Sequence, residues 1–144
     1  QDTIQILRQF SKVLKHKGVI HSFTSSIELA EFCLSENFKL GFNGIATFKS
    51  ANNVREVIKI TPLTQIVLET DSPYLTPVPY RGKPNSPCYL PFIADAISKI
   101  KSLSIDDLLE NTYANSLELF SGLTLRDQEV VNKTLEISNK EQKA

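Results

Sequence analysis

The sequence Ile-Val-Leu-Glu-Thr-Asp-Ser-Pro occupies residues 66–73. A short aliphatic run of this kind is typical of a parallel strand that is buried on both faces. Pro73 cannot continue a central strand, so we expect the strand to end close to Asp71. Carboxylates at the carboxyl ends of such strands lie where α/β barrels and open α/β sheets carry their chemistry. Asp71 is therefore either a functional residue or the cap of the following turn, and its position alone favours neither.

Helical and strand patterns alternate upstream of this stretch. Amphipathic spacing predicts helices, and short apolar runs predict strands. The predicted helices cover about 2–15, 25–36 and 51–60, and the predicted strands cover 19–23, 40–45 and 65–70. Strands that alternate with helices lie parallel and are joined by right-handed crossovers. The order predicts a barrel or a doubly wound sheet and argues against a sandwich.

Helix-start signals and a long loop complete the pattern. Ser25 with Glu28 has the spacing of a capping box, and Ser104 with Asp107 caps a last helix that runs to about residue 120. Residues 72–87 hold five of the seven prolines and form a long loop, which is usually functional in a compact domain, with a rigid surface connection as the alternative. A further helix starts near residue 91.

Composition excludes several classes of protein. The 144 residues include 16 basic and 16 acidic side chains, so a net charge of zero gives no general attraction to nucleic acid or anionic membrane. Two cysteines are too few for a disulfide framework and fit a reducing compartment, so we expect a cytoplasmic or nuclear protein. No apolar run approaches the ~20 residues that span a bilayer. We expect no membrane association and no obligate protein partner.

His21 and Asp71 are the candidate metal ligands. Each lies at or near the end of a predicted strand, and the carboxyl ends of parallel strands open on one face, so the two side chains can meet. An imidazole with a carboxylate suits Zn²⁺, Mn²⁺ or a similar ion. Two ligands are too few for a catalytic site, and a lone histidine near a strand end is more often structural.

Arg81 and Lys83 flank Gly82 in the long loop. A guanidinium at the mouth of a metal site can grip phosphate oxygens through paired hydrogen bonds. The alternative is that both residues are solvated loop charges.

Four segments carry a distinctive combination of residues. They are residues 21–23 (His-Ser-Phe), 41–49 (Gly-Phe-Asn-Gly-Ile-Ala-Thr-Phe-Lys), 69–75 (Glu-Thr-Asp-Ser-Pro-Tyr-Leu) and 77–87 (Pro-Val-Pro-Tyr-Arg-Gly-Lys-Pro-Asn-Ser-Pro). Together they resemble the TatD family of metal-dependent deoxyribonucleases over about residues 1–122. The resemblance implies a TIM-type (β/α)8 barrel of the amidohydrolase-like group. The chain corresponds to the C-terminal portion, with the last three strands and the closing helices, followed by a polar tail over 123–144.

The resemblance also implies the chemistry. It implies divalent metal ions, two in number (Mg²⁺, Mn²⁺ or Zn²⁺), with His21 and Asp71 as metal-site residues. Asp71 would also be catalytic, as the acceptor of a proton from the water that attacks phosphorus. DNA would be the substrate, hydrolysed at its phosphodiester bonds, with Arg81 and Lys83 holding a flanking phosphate. The family's other ligands, a His-x-His pair, a glutamate and a further histidine, would lie before Gln1, so we interpret the chain as part of a longer protein.

One departure and two alternatives accompany the resemblance. The family often has Cys-Phe-Ser-Gly after the histidine that matches His21, whereas residues 22–25 here are Ser-Phe-Thr-Ser. The loss of the glycine affects the loop above the site, and so the fit of the substrate more than metal binding. The alternative functions are a related metal-dependent hydrolase of another ester or amide, and a non-catalytic interaction protein.

Overall fold

A computed structural model describes residues 2–120 of the chain. Within that range, helices and strands alternate as the sequence predicts. The elements are helix α1 (Asp2–Phe10), strand β1 (Val19–Ile20), helix α2 (Ile27–Ser35), strand β2 (Lys39–Phe42), helix α3 (Asn52–Ile60), strand β3 (Ile66–Leu68), helix α4 (Leu90–Lys101) and helix α5 (Ile105–Leu119). The predicted tail over 123–144 lies outside the described residues.

The three strands form one parallel sheet. Their order is β1-β2-β3, with Val19 opposite Lys39 and Phe42 opposite Leu68. All three carboxyl ends therefore open at the same edge of the sheet. The parallel arrangement predicted from the alternating pattern is confirmed, and the residues that follow the strands are brought together at this edge.

The core is built around the central strand β2. Its residues Leu40 and Phe42 are at most 1% exposed. Fully buried residues of β3 and of the surrounding helices pack into the same core: Ala30, Cys33, Val57, Ile58, Ile66, Ile93, Ile97 and Leu108. Each large aliphatic side chain buried in this way stabilises the fold by roughly 1.5–3 kcal/mol. The ends of the strands are therefore supported by a tightly packed core.

All three strands are shorter than the sequence predicts. β1 stops at Ile20 because Ser22 adopts a left-handed conformation, with φ of 51°. β2 stops at Phe42 because the Asn43 side chain accepts a hydrogen bond from the amide of Ile45 at 2.9 Å and starts a short 3₁₀ turn over Gly44–Thr47. A left-handed residue thus ends β1, and a side chain that bonds nearby backbone ends β2.

Two helix ends also differ from prediction. α1 ends at Phe10 rather than near residue 15. The cap of α2 is Ser26, whose hydroxyl accepts from the amide of Leu29 at 3.3 Å, and not Ser25. Adjacent serines offer the same chemistry, so the residue type alone did not separate them. The predicted cap of α5 is confirmed, since the Ser104 hydroxyl accepts from the amide of Asp107 at 3.0 Å.

The proline-rich segment is an ordered loop held by its own hydrogen bonds. The amide of Asn85 donates to the carbonyl of Pro73 at 2.9 Å, and the Asn85 side chain donates to the carbonyl of Tyr74 at 2.6 Å. These bonds join the two arms of the loop above the carboxyl ends of the strands. Among residues 2–120, no helix is long and apolar enough to cross a membrane.

Candidate metal centre

The structure brings His21 and Asp71 into contact, as the sequence predicts. His21 Nε2 lies 3.0 Å from Asp71 Oδ1. A second carboxylate joins them, because His21 Nδ1 lies 2.8 Å from Glu69 Oε2. One potential ligand atom from each of these three residues lies within 4.8 Å of the others. The side chain of His21 is 64% exposed, whereas those of Glu69 and Asp71 are 14% and 17% exposed. The two acids of the cluster are therefore mostly covered, whereas the imidazole is open to solvent.

Glu69 fixes the orientation of the histidine ring. One of its carboxylate oxygens accepts from the amide of Ser22, and the other accepts from His21 Nδ1. The same carboxylate lies against Gly41 in β2, where a side chain would collide with it. A carboxylate on Nδ1 selects the tautomer whose Nε2 lone pair is free for a metal, which is the usual partner of a metal-binding histidine. Glu69 is thus placed to orient the imidazole ring of His21.

Asp71 is held by a separate pair of donors. Its Oδ2 accepts from the side-chain amide of Asn43 at 2.7 Å and from the hydroxyl of Ser22 at 3.0 Å. The same Asn43 amide donates to the Ser22 hydroxyl at 2.8 Å, and Asn43 is only 3% exposed. Oδ2 is therefore occupied by protein donors, which leaves Oδ1 as the oxygen that faces His21.

Sequence reasoning missed Glu69 and Asn43. Both follow a strand directly, Glu69 after β3 and Asn43 after β2. That position was the available signal, and it is the same signal that selected Asp71. Their roles depend on contacts across the sheet, between residues 21 to 48 positions apart in sequence, so residue type alone did not identify them.

Electrostatic interactions shift the titration of two groups in this cluster. The hydrogen bond to Glu69 and the charge of that carboxylate raise the pKa of His21, and Asp71 adds to the effect. Burial raises the pKa of Glu69 and outweighs the hydrogen bonds from His21 and Ser22. The two acids thus create a negative potential that favours a cation at the imidazole.

The donor set fits a divalent metal ion. An imidazole nitrogen suits Zn²⁺, and carboxylate oxygens suit Mg²⁺ and Mn²⁺. His21 Nε2 and Asp71 Oδ1 face each other at 3.0 Å. The second polar atom of each side chain is held by a neighbour: Glu69 contacts His21 Nδ1, and Asn43 donates to Asp71 Oδ2. Converging ligands with supporting partners are what a metal site requires. His21 and Asp71 are therefore the residues that would hold an ion.

Arg81 and Lys83 lie on the proline-rich loop and contact aromatic rings. The Arg81 guanidinium carbon is 3.7 Å from the centroid of the Phe48 ring, and Lys83 Nζ is 5.6 Å from that of Tyr80. Both cations are exposed. In the part of the chain that the structure describes, neither forms a hydrogen bond or ion pair with His21, Glu69 or Asp71.

Comparison with known proteins identifies the family. Residues 1–121 match the sequence model of the family described as "TatD related DNase". The chain is 41% identical over 103 residues to a Bacillus subtilis protein named "Uncharacterized metal-dependent hydrolase YabD", covering 72% of this chain and 40% of that protein. It is 33% identical over 122 residues to an Erwinia amylovora protein named "3'-5' ssDNA/RNA exonuclease TatD", covering 81% and 47%.

A solved structure supports the same assignment. The Escherichia coli TatD homologue YJJV superimposes with a TM-score of 0.74 at 28% identity, over 83% of this chain and 47% of that one. The chain therefore spans less than half the length of these relatives. Its parallel sheet and helices are a portion of a TIM-type barrel, as expected. The chain belongs to the TatD related DNase family.

Proposed function

We propose that this chain forms part of a metal-dependent hydrolase that cleaves phosphodiester bonds in DNA. The observation that carries the proposal is the cluster of His21, Glu69 and Asp71 at the carboxyl ends of parallel strands. Barrels of this type carry their active sites at that face. The description of the family as DNases and the nuclease name of the Erwinia relative support DNA as the substrate. The proposal concerns the whole protein, because the chain spans only part of its relatives.

In this proposal His21 and Asp71 hold metal. Each would donate one atom, His21 Nε2 and Asp71 Oδ1, to one of two divalent ions (Mg²⁺, Mn²⁺ or Zn²⁺). A bound ion of this kind lowers the pKa of water and stabilises negative charge on phosphate oxygens. Glu69 would hold the proton of His21 on Nδ1, which would leave the Nε2 lone pair for the ion. Asn43 and Ser22 would hold the Asp71 carboxylate in its orientation by donating hydrogen bonds to Oδ2.

Asp71 is also the proposed proton acceptor. A carboxylate oxygen carries two lone pairs, so Oδ1 can contact an ion and still accept a proton from the attacking water. Arg81 and Lys83 would add positive charge for a flanking phosphate. Their exposed position on the loop next to Pro73 and Tyr74 supports this role.

The test combines metal content with DNA hydrolysis in the full-length protein. Asp71→Asn keeps the shape of the side chain and removes its charge. We expect a loss of rate of about 10²-fold or more, together with a loss of bound metal. Asp95→Asn is the matched control, because Asp95 lies on α4, has a side chain that is 51% exposed, and pairs with Lys99. Wild-type metal content and rate in Asp71→Asn would mean that Asp71 only caps a turn.

Substrate class is tested separately. Hydrolysis of DNA is compared with that of small carboxylic esters and amides at equal enzyme and metal concentration. We expect turnover of DNA and none of the small substrates. The opposite pattern would keep the metal site and replace the nuclease by a hydrolase of another ester or amide.

A further inference from the structure

A shallow cavity lies on the proline-rich loop, beside the side-chain cluster of His21, Glu69 and Asp71. It has a volume of about 480 Å³, within the range of small-molecule sites, and is lined by Phe48, Tyr74, Arg81 and Lys83 among others. Tyr74 is 73% exposed although it is a large aromatic residue. The cavity therefore combines aromatic surface with positive charge, and neither is used by the cluster of His21, Glu69 and Asp71.

The cations of this cavity lie over aromatic faces. The Arg81 guanidinium carbon is 3.7 Å from the Phe48 ring centroid, which is a stacked contact rather than a hydrogen bond. Arg81 is nonetheless exposed, so part of its guanidinium surface remains available to a further planar group. Flat guanidinium and aromatic surfaces are what unpaired nucleobases stack on in nucleic-acid-binding proteins.

The scaffold holds this surface in place. The amide of Tyr74 donates to the carbonyl of Asp71 at 2.7 Å, so the exposed ring is only one turn away from the proposed metal ligand. Tyr80, below Lys83, stacks on Tyr89 at 4.8 Å between centroids. A surface ordered before binding loses less conformational entropy when a ligand arrives.

We propose that Tyr74 and Arg81, with the Phe48 ring behind the Arg81 guanidinium, form a stacking shelf for unpaired nucleobases of a single strand. The inference rests on the proposed nuclease function and extends it, since it assigns a base-binding site adjacent to the metal cluster. A base in a duplex has both faces covered by its neighbours, so only an unpaired base can stack on the shelf. Lys83 adds charge for the backbone, whereas Arg81 contributes the plane of its guanidinium as well as its charge.

The test measures binding rather than turnover, in the full-length protein with metal chelated so that hydrolysis cannot occur. Fluorescence anisotropy compares three labelled ligands of equal length: oligothymidylate, an abasic strand with the same phosphates, and a blunt duplex. The wild-type protein should bind oligothymidylate more tightly than the other two. Tyr74→Ala should weaken binding of oligothymidylate by about 5-fold to 100-fold and leave the abasic strand unchanged.

Two further variants separate stacking from charge. Arg81→Lys keeps the charge and removes the plane, so it should also weaken oligothymidylate selectively. Tyr113→Ala is the control, because Tyr113 is a partly exposed tyrosine on α5 outside the cavity, and it should bind as wild type does. Equal affinity of the wild-type protein for normal and abasic strands, or no measurable binding of either, would overturn the shelf. Equal losses on both strands in Tyr74→Ala would do the same.

The stacking shelf and the proposed hydrolysis of DNA can be refuted independently of each other. Base-dependent binding without any hydrolysis of DNA in the presence of metal would refute the proposed reaction and retain the shelf. Hydrolysis of DNA with binding that ignores the bases would refute the shelf and retain the reaction.

Discussion

Gly41→Ala is expected to weaken metal binding while leaving the fold stable. A Cβ atom at residue 41 would lie 2.1 Å from Glu69 Oε2. An ordinary contact is 3.4 Å or longer, so the carboxylate must retreat by about 1.3 Å. That movement breaks the 2.8 Å contact with His21 Nδ1 and frees the ring to rotate or change tautomer. Loss of such a supporting carboxylate lowers metal affinity by about 10-fold to 100-fold.

The stability of the fold should change much less. The atoms that the new methyl group meets belong to the far end of the Glu69 side chain, which can move without shifting the backbone. Thermal unfolding of the full-length protein in a chelator should therefore remain close to that of wild type. Competitive titration with Mn²⁺ and Zn²⁺ should show the weakened site.

Gly18→Ala is the matched control for this experiment. No atom lies within 4 Å of a Cβ at residue 18, so the added methyl group should change neither stability nor metal affinity. Wild-type metal affinity in Gly41→Ala would refute the reasoning, because it would show that His21 does not need Glu69 in that position. A collapse of stability would show that the carboxylate cannot move independently of the sheet.

Further predictions concern titration, cysteine reactivity and the isolated chain. Glu69 raises the pKa of His21, and a protonated Nε2 cannot bind metal. Metal affinity should therefore fall as the pH falls through that raised pKa, and His21→Gln should lose this part of the pH dependence in calorimetric titrations. Burial raises the pKa of Cys33 to about 11, whereas Cys88 is exposed. Site-resolved mass spectrometry should therefore find Cys88 alkylated and Cys33 protected until the protein unfolds. Alkylation of both cysteines at equal rates in the native protein would contradict the buried position of Cys33. Residues 1–144 alone should release no nucleotides from DNA with Mg²⁺ or Mn²⁺, because His21, Glu69 and Asp71 supply at most three ligands, too few for a two-metal site. Turnover comparable to that of a complete barrel would contradict this expectation. We also expect this isolated chain to aggregate or remain partly molten through its open strand edges, and one sharp, cooperative melting transition of a monomer would show instead a self-sufficient domain.

The order of elements could be predicted because each signal is local. The aliphatic run before Glu69 and the alternation of helical and strand patterns were sufficient for a parallel sheet. The meeting of His21 and Asp71 followed from that topology, because the carboxyl ends of parallel strands open at one edge. The ends of the elements were less predictable. Ser25 and Ser26 have equal capping chemistry, and only the path of the chain decides between them.

The supporting residues of the site could not be predicted because their roles are non-local. Asn43 acts through a contact with Asp71, 28 positions away in sequence. Glu69 acts through His21 and through the absence of a side chain at Gly41 in the neighbouring strand. Sequence patterns identify which residues can bind metal, whereas the register of the sheet decides which residues orient them.

The central claim is that His21 and Asp71 hold metal. Crystals of the full-length protein grown with Mn²⁺, measured at the manganese absorption edge, test it most directly. We predict an anomalous peak within bonding distance of both His21 Nε2 and Asp71 Oδ1, with His21 Nδ1 still donating to Glu69. A fully occupied manganese site elsewhere in the barrel, with His21 and Asp71 still paired to each other, would contradict the account.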